Sequence, residues 1–390
     1  MSLSQDLPSI PLPPGVSSHY LKSPANDLTY HFLSAGNQGD PLILLYHGFP
    51  ETSFCWRHIL PYLAQAGYYA VAPDTRGSGR TTTPNPVDFT ESADELRQYQ
   101  LTNTARDTVI FIQALGYSTV HCLVGHDAGA VLVAWVALTR PDLIQRVIIA
   151  SHPYNGPPAI QPVAIDKTET DPAPAAQEDI HAALLKLPHP RKHYKWYYAG
   201  PAAAADLQGA SVDELRACLK GYYYLKSASW PDNKPHPLCA WTAAELAQMP
   251  YYYVMPADSG MAAAVQRQLQ RSGHEPDCSP WLTDAELEFL AHEWNRTGFQ
   301  GALNWYRIAT NPAWQRDLQL YAGKKLACPS LSILGRQDWG SYQEPGVLEA
   351  VGSKCLDYRG EVWIEEAGHW MQQEQPEGVA RHILKFCQQD

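Results

Sequence analysis

The spacing of apolar residues predicts alternating strands and helices over the first 155 residues. Continuous apolar runs that end at Pro or Gly, together with one alternating run, are typical of strands in a buried sheet. These runs predict strands at residues 28–36, 41–48, 68–74, 119–125 and 146–152. Spacing closer to a 3.6-residue period predicts helices at residues 53–67, 101–116 and 128–141. The alternation predicts an α/β fold with a doubly wound, mostly parallel sheet.

The pattern changes between residues 155 and 325, where buried strands are almost absent. This stretch, called the inserted segment below, contains the Pro/Ala-rich connector at 171–177, Ala-rich helical pieces and two Tyr-Tyr-Tyr triplets. The α/β pattern then resumes, with two predicted strands and a closing amphipathic helix at residues 329–335, 361–368 and 377–387. We therefore expect one α/β domain whose two core parts flank a helical insertion, at residues 1–154, 155–325 and 326–390.

Composition narrows the functional class. Apolar residues make up 45% of the chain and charged residues 18%, which allows a large buried core. The net charge of −11 without a basic cluster argues against a nucleic acid or an anionic membrane as partner. The eight cysteines form no C-x-x-C pair, as is typical of reduced cytosolic proteins. With no signal-peptide pattern and no membrane-length apolar run, we expect a cytoplasmic protein.

The stretch "LVGHDAGAVLVAW" (123–135) puts a charged residue, Asp127, where a predicted strand meets a predicted helix. Small residues surround it, namely Gly125, Gly129 and Ala130. A nucleophile between small residues at such a corner forms the nucleophile elbow, a strained turn that lifts one side chain toward the substrate. Here the lifted residue is Asp127, where esterases carry Ser. The alternative is that Asp127 only caps the helix, because Asp is common at helix N-termini.

The loop after the second predicted strand carries the motif "HGFPE" (47–51). In hydrolases with a nucleophile elbow, this loop gives one backbone N–H to the oxyanion hole, and the residue after the nucleophile gives the other. These donors would be Phe49 and Ala128. The alternative reading of His47 and Gly48 is an ordinary turn from a strand into a loop.

Two further side chains follow predicted strands in the positions expected for an acid and a base. Asp338 lies in "GRQDW", and His369 lies in "EAGHWMQQEQP". The order Asp127, Asp338, His369 is the nucleophile, acid, base order of these hydrolases. Imidazole suits general-base work near neutral pH. Glu344 and Glu365 are poorer candidates for the acid, because neither lies in the first turn after a strand.

An Asp nucleophile implies a covalent route. Asp127 would attack an sp³ carbon to give an alkyl ester, and water activated by His369 would then attack the ester carbonyl. The N–H groups of Phe49 and Ala128 would hold the oxyanion, while Asp338 would orient the imidazole. The sequence has neither a Gly-rich dinucleotide loop nor His and Cys residues at metal-binding spacing, so we expect no cofactor and no metal.

Four stretches resemble the epoxide hydrolases of the α/β-hydrolase fold family. They are "HGFPETSFCWRHILPYLAQAGYYAVAPDTRGSGRT" (47–81), "GHDAGA" (125–130), "RTGFQGALNWYR" (296–307) and "EAGHWMQQEQPEGV" (366–379). The resemblance implies an α/β-hydrolase fold with a large helical cap inserted after the sixth strand. It also implies a small apolar epoxide and water as the reactants. A homodimer is compatible with the resemblance.

The resemblance assigns the acid that protonates the epoxide oxygen to two cap tyrosines. Tyr306 in "NWYR" matches one of them by its context. Tyr194 in "HYKWYYAGP" (193–201) is the better match to the other, with Tyr197 or Tyr198 as alternatives. The resemblance further implies a set of substrate-binding side chains, namely His126, Lys195, Trp305, Trp339 and Trp370.

Two positions depart from the family pattern. The family often has Trp directly after the nucleophile, whereas this chain has Ala128, and it frequently has Gln after the first cap tyrosine, whereas this chain has Lys195. The missing indole should leave room for a bulkier substrate. It also argues against a haloalkane dehalogenase, which commonly uses that Trp to bind halide, and the missing Arg argues against a haloacid dehalogenase.

Three other interpretations remain. An epoxide-opening enzyme of natural-product biosynthesis would use the same tyrosines and base. An esterase is less compatible with the sequence, because no Ser occupies the nucleophile position. The non-enzymatic alternative is a ligand-binding receptor or pseudoenzyme on the same fold, which an intact set of Asp127, Asp338, His369 and Tyr306 disfavours.

Overall fold

The computed structural model describes residues 7–83, 88–90, 92–160 and 179–389. Its strands are β1 (Ser17–Lys22), β2 (Thr29–Ala35), β3 (Leu42–Tyr46), β4 (Tyr69–Pro73), β5 (Cys122–His126), β6 (Val147–Ala150), β7 (Arg191–His193), β8 (Val254–Pro256), β9 (Ser330–Gly335) and β10 (Tyr358–Ile364). Eight of them form one sheet in the order β1-β2-β4-β3-β5-β6-β9-β10. β2 pairs antiparallel with β1 and β4, and all other neighbours in this sheet are parallel.

The helices before the inserted segment are α1 (Leu60–Gln65), α2 (Ala93–Arg97), α3 (Leu101–Ala114) and α4 (Ala128–Thr139). Those of the inserted segment are α5 (Ile180–Leu185), α6 (Tyr194–Tyr198), α7 (Ala203–Gln208), α8 (Val212–Lys226), α9 (Ala243–Leu246), α10 (Met261–Ser272), α11 (Asp284–Thr297) and α12 (Gln300–Thr310). The last part contains α13 (Val347–Ala350), α14 (Met371–Glu374) and α15 (Pro376–Cys387). Four 3₁₀ helices occupy Ser53–Trp56, Pro312–Tyr321, Trp339–Ser341 and Val351–Lys354.

Helices cover both faces of the sheet, which confirms the predicted doubly wound arrangement. On one face Phe111 of α3 and Val133 of α4 pack with Leu44 in a single core cluster. On the other face Leu63 of α1 and Ile383 of α15 belong to a second cluster. The central strands β3 to β6 are buried along their whole length, as their continuous apolar runs predict.

Several element bounds differ from the prediction for identifiable reasons. The helix predicted at 53–67 is divided into a 3₁₀ turn and α1, and Pro61 stands in the first turn of α1, where its missing N–H needs no partner. β10 begins three residues earlier than expected, at Tyr358. β1 was not predicted, because an edge strand that is largely exposed or half-buried shows no buried run.

The inserted segment follows β6, the sixth strand, and is mainly helical, as predicted. Among the residues described in this segment, the strands β7 and β8 depart from the helical expectation and form a two-stranded antiparallel sheet. Its helices share a third hydrophobic cluster with Phe49, Trp339 and Trp370 of the flanking parts. The Pro/Ala-rich connector at 171–177 lies outside the described residues. Among the described residues, no helix is both long enough and apolar enough to cross a membrane.

Candidate active site

Asp127 stands at the corner between β5 and α4, with a φ of 53° and a ψ of −118°. A positive φ at a non-glycine residue costs on the order of 1–3 kcal/mol and persists only where the surrounding structure enforces it. Asp127 occupies the N-cap position of α4, but its carboxylate makes no capping hydrogen bond. Helix capping therefore does not explain this residue.

Glycines allow the backbone to close tightly around the corner. A Cβ on Gly129 would lie 2.6 Å from the carbonyl oxygen of Tyr46, and a Cβ on Gly125 would collide with α4. Gly48, in the loop after β3, is constrained by the carboxylate itself, because its Cβ would lie 2.5 Å from Oδ1 of Asp127. The requirement at Gly48 was not predicted, although the residue lies in the "HGFPE" motif.

The backbone N–H of Phe49 donates a hydrogen bond to Oδ1 of Asp127 over 3.1 Å. Ala128 is the first residue of α4. Its N–H therefore belongs to the helix turn whose donors have no intrahelical acceptor. Of the two predicted oxyanion donors, Phe49 thus contacts the carboxylate, and Ala128 directly follows Asp127 in the chain.

His369 lies between the two aspartates. Its Nδ1 is 3.1 Å from both carboxylate oxygens of Asp338. Its Nε2 is 3.6 Å from Oδ2 of Asp127 and has no hydrogen-bond partner among the described residues. Because Asp338 fixes Nδ1, Nε2 is the nitrogen left to act toward Asp127.

Electrostatics favour an ionised carboxylate beside a neutral imidazole. Burial raises the pKa of Asp127, but the neighbouring His369 and Lys226 lower it by more, to about 2. Burial also opposes ionisation of Asp338, and the contact with His369 brings its pKa below the usual value. Burial lowers the pKa of His369, and Asp338 offsets this only in part. These are the protonation states that a carboxylate nucleophile and a general base require.

The loop that carries His369 is held from two sides. The N–H of His369 donates to the carbonyl oxygen of Lys226 over 2.8 Å. The N–H groups of Gly368 and Trp370, which flank it, donate to the carboxylate of Glu374 over 3.0 Å. The role of Glu374 could not be predicted from the sequence, because its partners are backbone N–H groups that carry no side-chain signal.

His126 also contacts the loop that carries His369. Its Nε2 lies 2.7 Å from the carbonyl oxygen of His369, and its Nδ1 lies 2.9 Å from Oε2 of Glu51. Both ring nitrogens are thus engaged by protein atoms, which favours a supporting role for His126 over contact with a substrate.

Two tyrosines of the inserted segment are close enough to Asp127 for its charge to act on them. Burial raises the pKa of Tyr194 and of Tyr306 well above the ordinary value, and the negative charge of Asp127 raises both further. Their ring centroids are 6.0 Å apart, and the Tyr194 hydroxyl donates to Oε1 of Gln343 over 3.2 Å. The Tyr198 ring also lies 5.0 Å from that of Tyr306, tilted by 59°, but its buried hydroxyl has no hydrogen-bond partner in the described chain. Tyr197 is only half-buried and interacts with Asp206.

The other predicted substrate-binding residues have different surroundings. Lys195 donates to Glu344 over 2.6 Å, so its charge is already paired. Trp370 is fully buried 4.6 Å from the His369 ring, and its indole N–H is held by the carbonyl oxygen of Tyr223. Trp339 is buried directly after Asp338.

A small cavity of about 70 Å³ lies beside the corner. Phe49, Ala128 and Trp305 line it, so it borders both predicted oxyanion donors. Its wall also includes Arg76 and Asp107, which pair with each other over 2.8 Å.

In the described chain, no three His, Cys, Asp or Glu side chains are grouped as a metal site requires.

A strand-to-helix corner bearing Asp127, with His369 and Asp338 at the carboxyl ends of neighbouring strands, defines a hydrolase of the α/β class. Residues 41–171 match the model of the family described as alpha/beta hydrolase fold. Epoxide hydrolase B of Mycobacterium tuberculosis is 32% identical, over 90% of this chain and 93% of that protein. Epoxide hydrolase A of the same species is 29% identical, over 93% and 94%. The structure of an epoxide hydrolase from an endophytic Streptomyces is similar, with a TM-score of 0.72, 27% identity and 96% of each chain covered. The chain belongs to the epoxide hydrolase family of the α/β-hydrolase fold.

Proposed function

We propose that this enzyme opens an epoxide to a vicinal diol through an alkyl ester on Asp127. The observation that carries the proposal is the environment of that carboxylate. It makes no helix-capping bond, accepts the N–H of Phe49 on Oδ1 and faces Nε2 of His369 with Oδ2. A carboxylate held ionised in this way is suited to attack an sp³ carbon.

In the first step, Oδ2 of Asp127 attacks one ring carbon, and the bond between that carbon and the epoxide oxygen breaks. Oδ1 remains as the ester carbonyl oxygen, since Phe49 already binds it. The departing oxygen stays attached to the other carbon and takes a proton from Tyr194 or Tyr306. Both hydroxyls stay protonated at neutral pH because burial and the Asp127 charge raise their pKa values.

In the second step, His369 takes a proton from water, and the hydroxide oxygen attacks Cγ of Asp127. The oxyanion that forms on Oδ1 is stabilised by the N–H groups of Phe49 and Ala128. The ester bond then breaks between Cγ and Oδ2, and the diol leaves with the original aspartate oxygen, which takes the proton held by His369. The second proton of the attacking water returns to the tyrosine that gave up its proton in the first step, so Asp127 is again a carboxylate. Asp338 holds the imidazole in orientation and stabilises its transient positive charge.

We propose that the substituent of the epoxide extends toward this cavity, where the small side chain of Ala128 leaves room for it. The cavity borders Ala128, at the position where the family often has Trp, and Trp305 forms another part of its wall. In this proposal residues 155–325 act as the cap, because they carry Tyr194 and Tyr306, on which the charge of Asp127 acts.

A single turnover in oxygen-18 water tests the proposal. With enzyme in excess over styrene oxide, we expect one carboxylate oxygen of Asp127 to be exchanged for oxygen-18, so that the proteolytic peptide containing it becomes heavier by about 2 Da, while the diol gains no label. The variant His369→Gln should accumulate the ester, seen as the peptide plus the mass of the epoxide. Label that enters the diol in the first turnover would show direct attack by water and overturn the covalent route.

A further inference from the structure

Lys226, the last residue of α8, is a buried cation at the edge of the site. Only 4% of its surface is exposed. Its ammonium group lies over three aromatic rings, those of Tyr222, Tyr253 and Trp370, each at 5.1 Å from the ring centroid. Within the described part of the chain it forms no ion pair and no side-chain hydrogen bond. A lysine this deeply buried without a carboxylate partner calls for a physical explanation.

The ring cage stabilises the cation without neutralising it. Ring quadrupoles attract an ammonium group and offset part of its lost hydration. A carboxylate partner would instead cancel the charge toward its surroundings. Because the cage carries no net charge, the field of Lys226 extends to the groups that lie beyond the rings.

Those groups are the reacting side chains. Trp370, one ring of the cage, directly follows His369 and packs 4.6 Å from its imidazole. The backbone of Lys226 also accepts the N–H of His369, so the two residues are joined at 2.8 Å. The Lys226 charge lowers the pKa of His369 and of both aspartates, Asp127 and Asp338.

We propose that Lys226 is a positioning residue for His369: its uncancelled charge offsets the two carboxylates and keeps the imidazole in the neutral form that can accept a proton. Without this cation, one imidazole would stand between two negative charges, and both would favour its protonated form. A protonated His369 would pair with Asp127 and could not activate water. The inference rests on the proposed roles of Asp127 and His369.

The other titratable groups around His369 do not supply this balance. Asp338 and Asp127 face its two nitrogens and both favour the imidazolium. His126, on β5, is paired with Glu51, so much of its charge is cancelled locally. Glu374 contacts the backbone of the neighbouring residues rather than the ring. Tyr194 and Tyr253 stay neutral, because burial raises their pKa values well above the ordinary value.

The test is a direct titration of the His369 ring. The enzyme is labelled with carbon-13 histidine, and the His369 resonance is identified by its loss in His369→Gln. In the unchanged enzyme we expect a pKa below the ordinary value of about 6.5. In Lys226→Met, which keeps the apolar stem and its ring contacts, we expect the pKa to rise by about one unit or more.

Two variants serve as controls. Lys226→Arg keeps the cation over the rings and should leave the His369 pKa within about 0.3 units of the original. Lys220→Met removes a half-exposed lysine from the same helix, one that lies 3.9 Å from Asp284, and should leave the pKa unchanged. In the pH profile of kcat/KM for styrene oxide, the midpoint of the acid limb should shift to higher pH in Lys226→Met and stay in place in the two control variants.

Several outcomes would overturn the inference. One is an unchanged His369 pKa in a folded Lys226→Met enzyme. Another is an unchanged pKa combined with a raised KM only for epoxides that carry a carboxylate, which would make Lys226 a substrate-anion site. If Lys226→Met does not fold, Lys226→Gln replaces it, and a His369 pKa above about 7 in the unchanged enzyme is decisive by itself. The titration does not depend on the oxygen-18 result, so failure of the covalent mechanism is detected separately.

Discussion

Gly48 and Asp127 are in contact across the corner of the site, with no space between them for a single methyl group. A Cβ on Gly48 would lie 2.5 Å from Oδ1 of Asp127, the same oxygen that accepts the N–H of the next residue, Phe49. The glycine therefore sets how closely the loop after β3 approaches the carboxylate. The absence of a side chain at Gly48 therefore allows the hydrogen bond between the N–H of Phe49 and Oδ1 of Asp127.

Gly48→Ala should therefore impair catalysis while the fold is retained. The methyl group must displace either the loop or the carboxylate, and a shift of this size typically costs about 10²-fold in rate. We expect kcat/KM for styrene oxide to fall by about that factor, together with a loss of about 1–3 kcal/mol in unfolding free energy. Gly378→Ala is the control, since the nearest atom to its new Cβ would be 3.9 Å away. Full activity in Gly48→Ala would contradict the assigned constraint.

The sequence predicts those parts of the site whose position depends only on the order of strands and helices along the chain. Asp127, Asp338 and His369 each follow a predicted strand, and parallel strands bring their carboxyl ends to one edge, so their meeting could be expected. Lys226 could not be predicted in this way. Tyr222 lies one helical turn before Lys226 on α8, but the other two rings come from positions 253 and 370, which no local spacing relates to Lys226. Only the packing of α8 against the rest of the inserted segment and the His369 loop brings them together.

Tyr194 and Tyr306, as the two proposed acids, lead to a prediction about the rate of ester formation. Tyr306→Phe and Tyr194→Phe each remove one donor to the epoxide oxygen, and a positioned acid contributes about 10²–10⁴-fold in rate. We expect each variant to slow formation of the ester by about tenfold to 10²-fold, because the other tyrosine remains. Rapid-quench detection of the Asp127 ester measures this step, and its hydrolysis should change less.

Tyr198→Phe is the matched control for those variants. Its hydroxyl is buried without a partner in the described chain, although its ring lies 5.0 Å from Tyr306. Removing that hydroxyl should leave ester formation nearly unchanged. If Tyr198→Phe slows ester formation more than Tyr194→Phe does, the first acid is Tyr198 and the assignment of Tyr194 is wrong.

Ala128 makes the width of the site testable. Ala128→Trp would restore the residue that the family often has there and would fill the small cavity that Ala128 lines. We expect kcat/KM for trans-stilbene oxide to fall at least about tenfold, while that for propylene oxide changes little, because the backbone N–H is kept. Ala128→Ser, which adds one atom, is the control. Equal losses for both epoxides would show that the cavity does not receive substrate.

Lys195 and Glu344 tie α6 to the segment after β9, beside the contact between Tyr194 and Gln343. The Lys195 charge lowers the pKa of Glu344 to about 2, against an ordinary value near 4.5. A carboxyl whose pKa is depressed in the folded state stabilises the fold above its unfolded pKa. That stabilisation disappears as the pH falls toward the folded pKa. The contribution of this pair is therefore complete above about pH 5 and shrinks between pH 4.5 and pH 2.

Lys195→Gln should lower the free energy of unfolding in that pH-dependent way. Because both side chains keep some solvent contact, at 15% and 29% exposure, we expect a loss of only about 1 kcal/mol at pH 7. Urea unfolding of the variant and the unchanged enzyme at pH 7 and pH 3.5 measures the difference, which should be smaller at pH 3.5. Arg336→Gln, which breaks the exposed pair with Glu365, should produce no measurable change at either pH. A loss in Lys195→Gln that is equal at both pH values would mean that packing of the lysine stem, and not its charge, holds the two segments together.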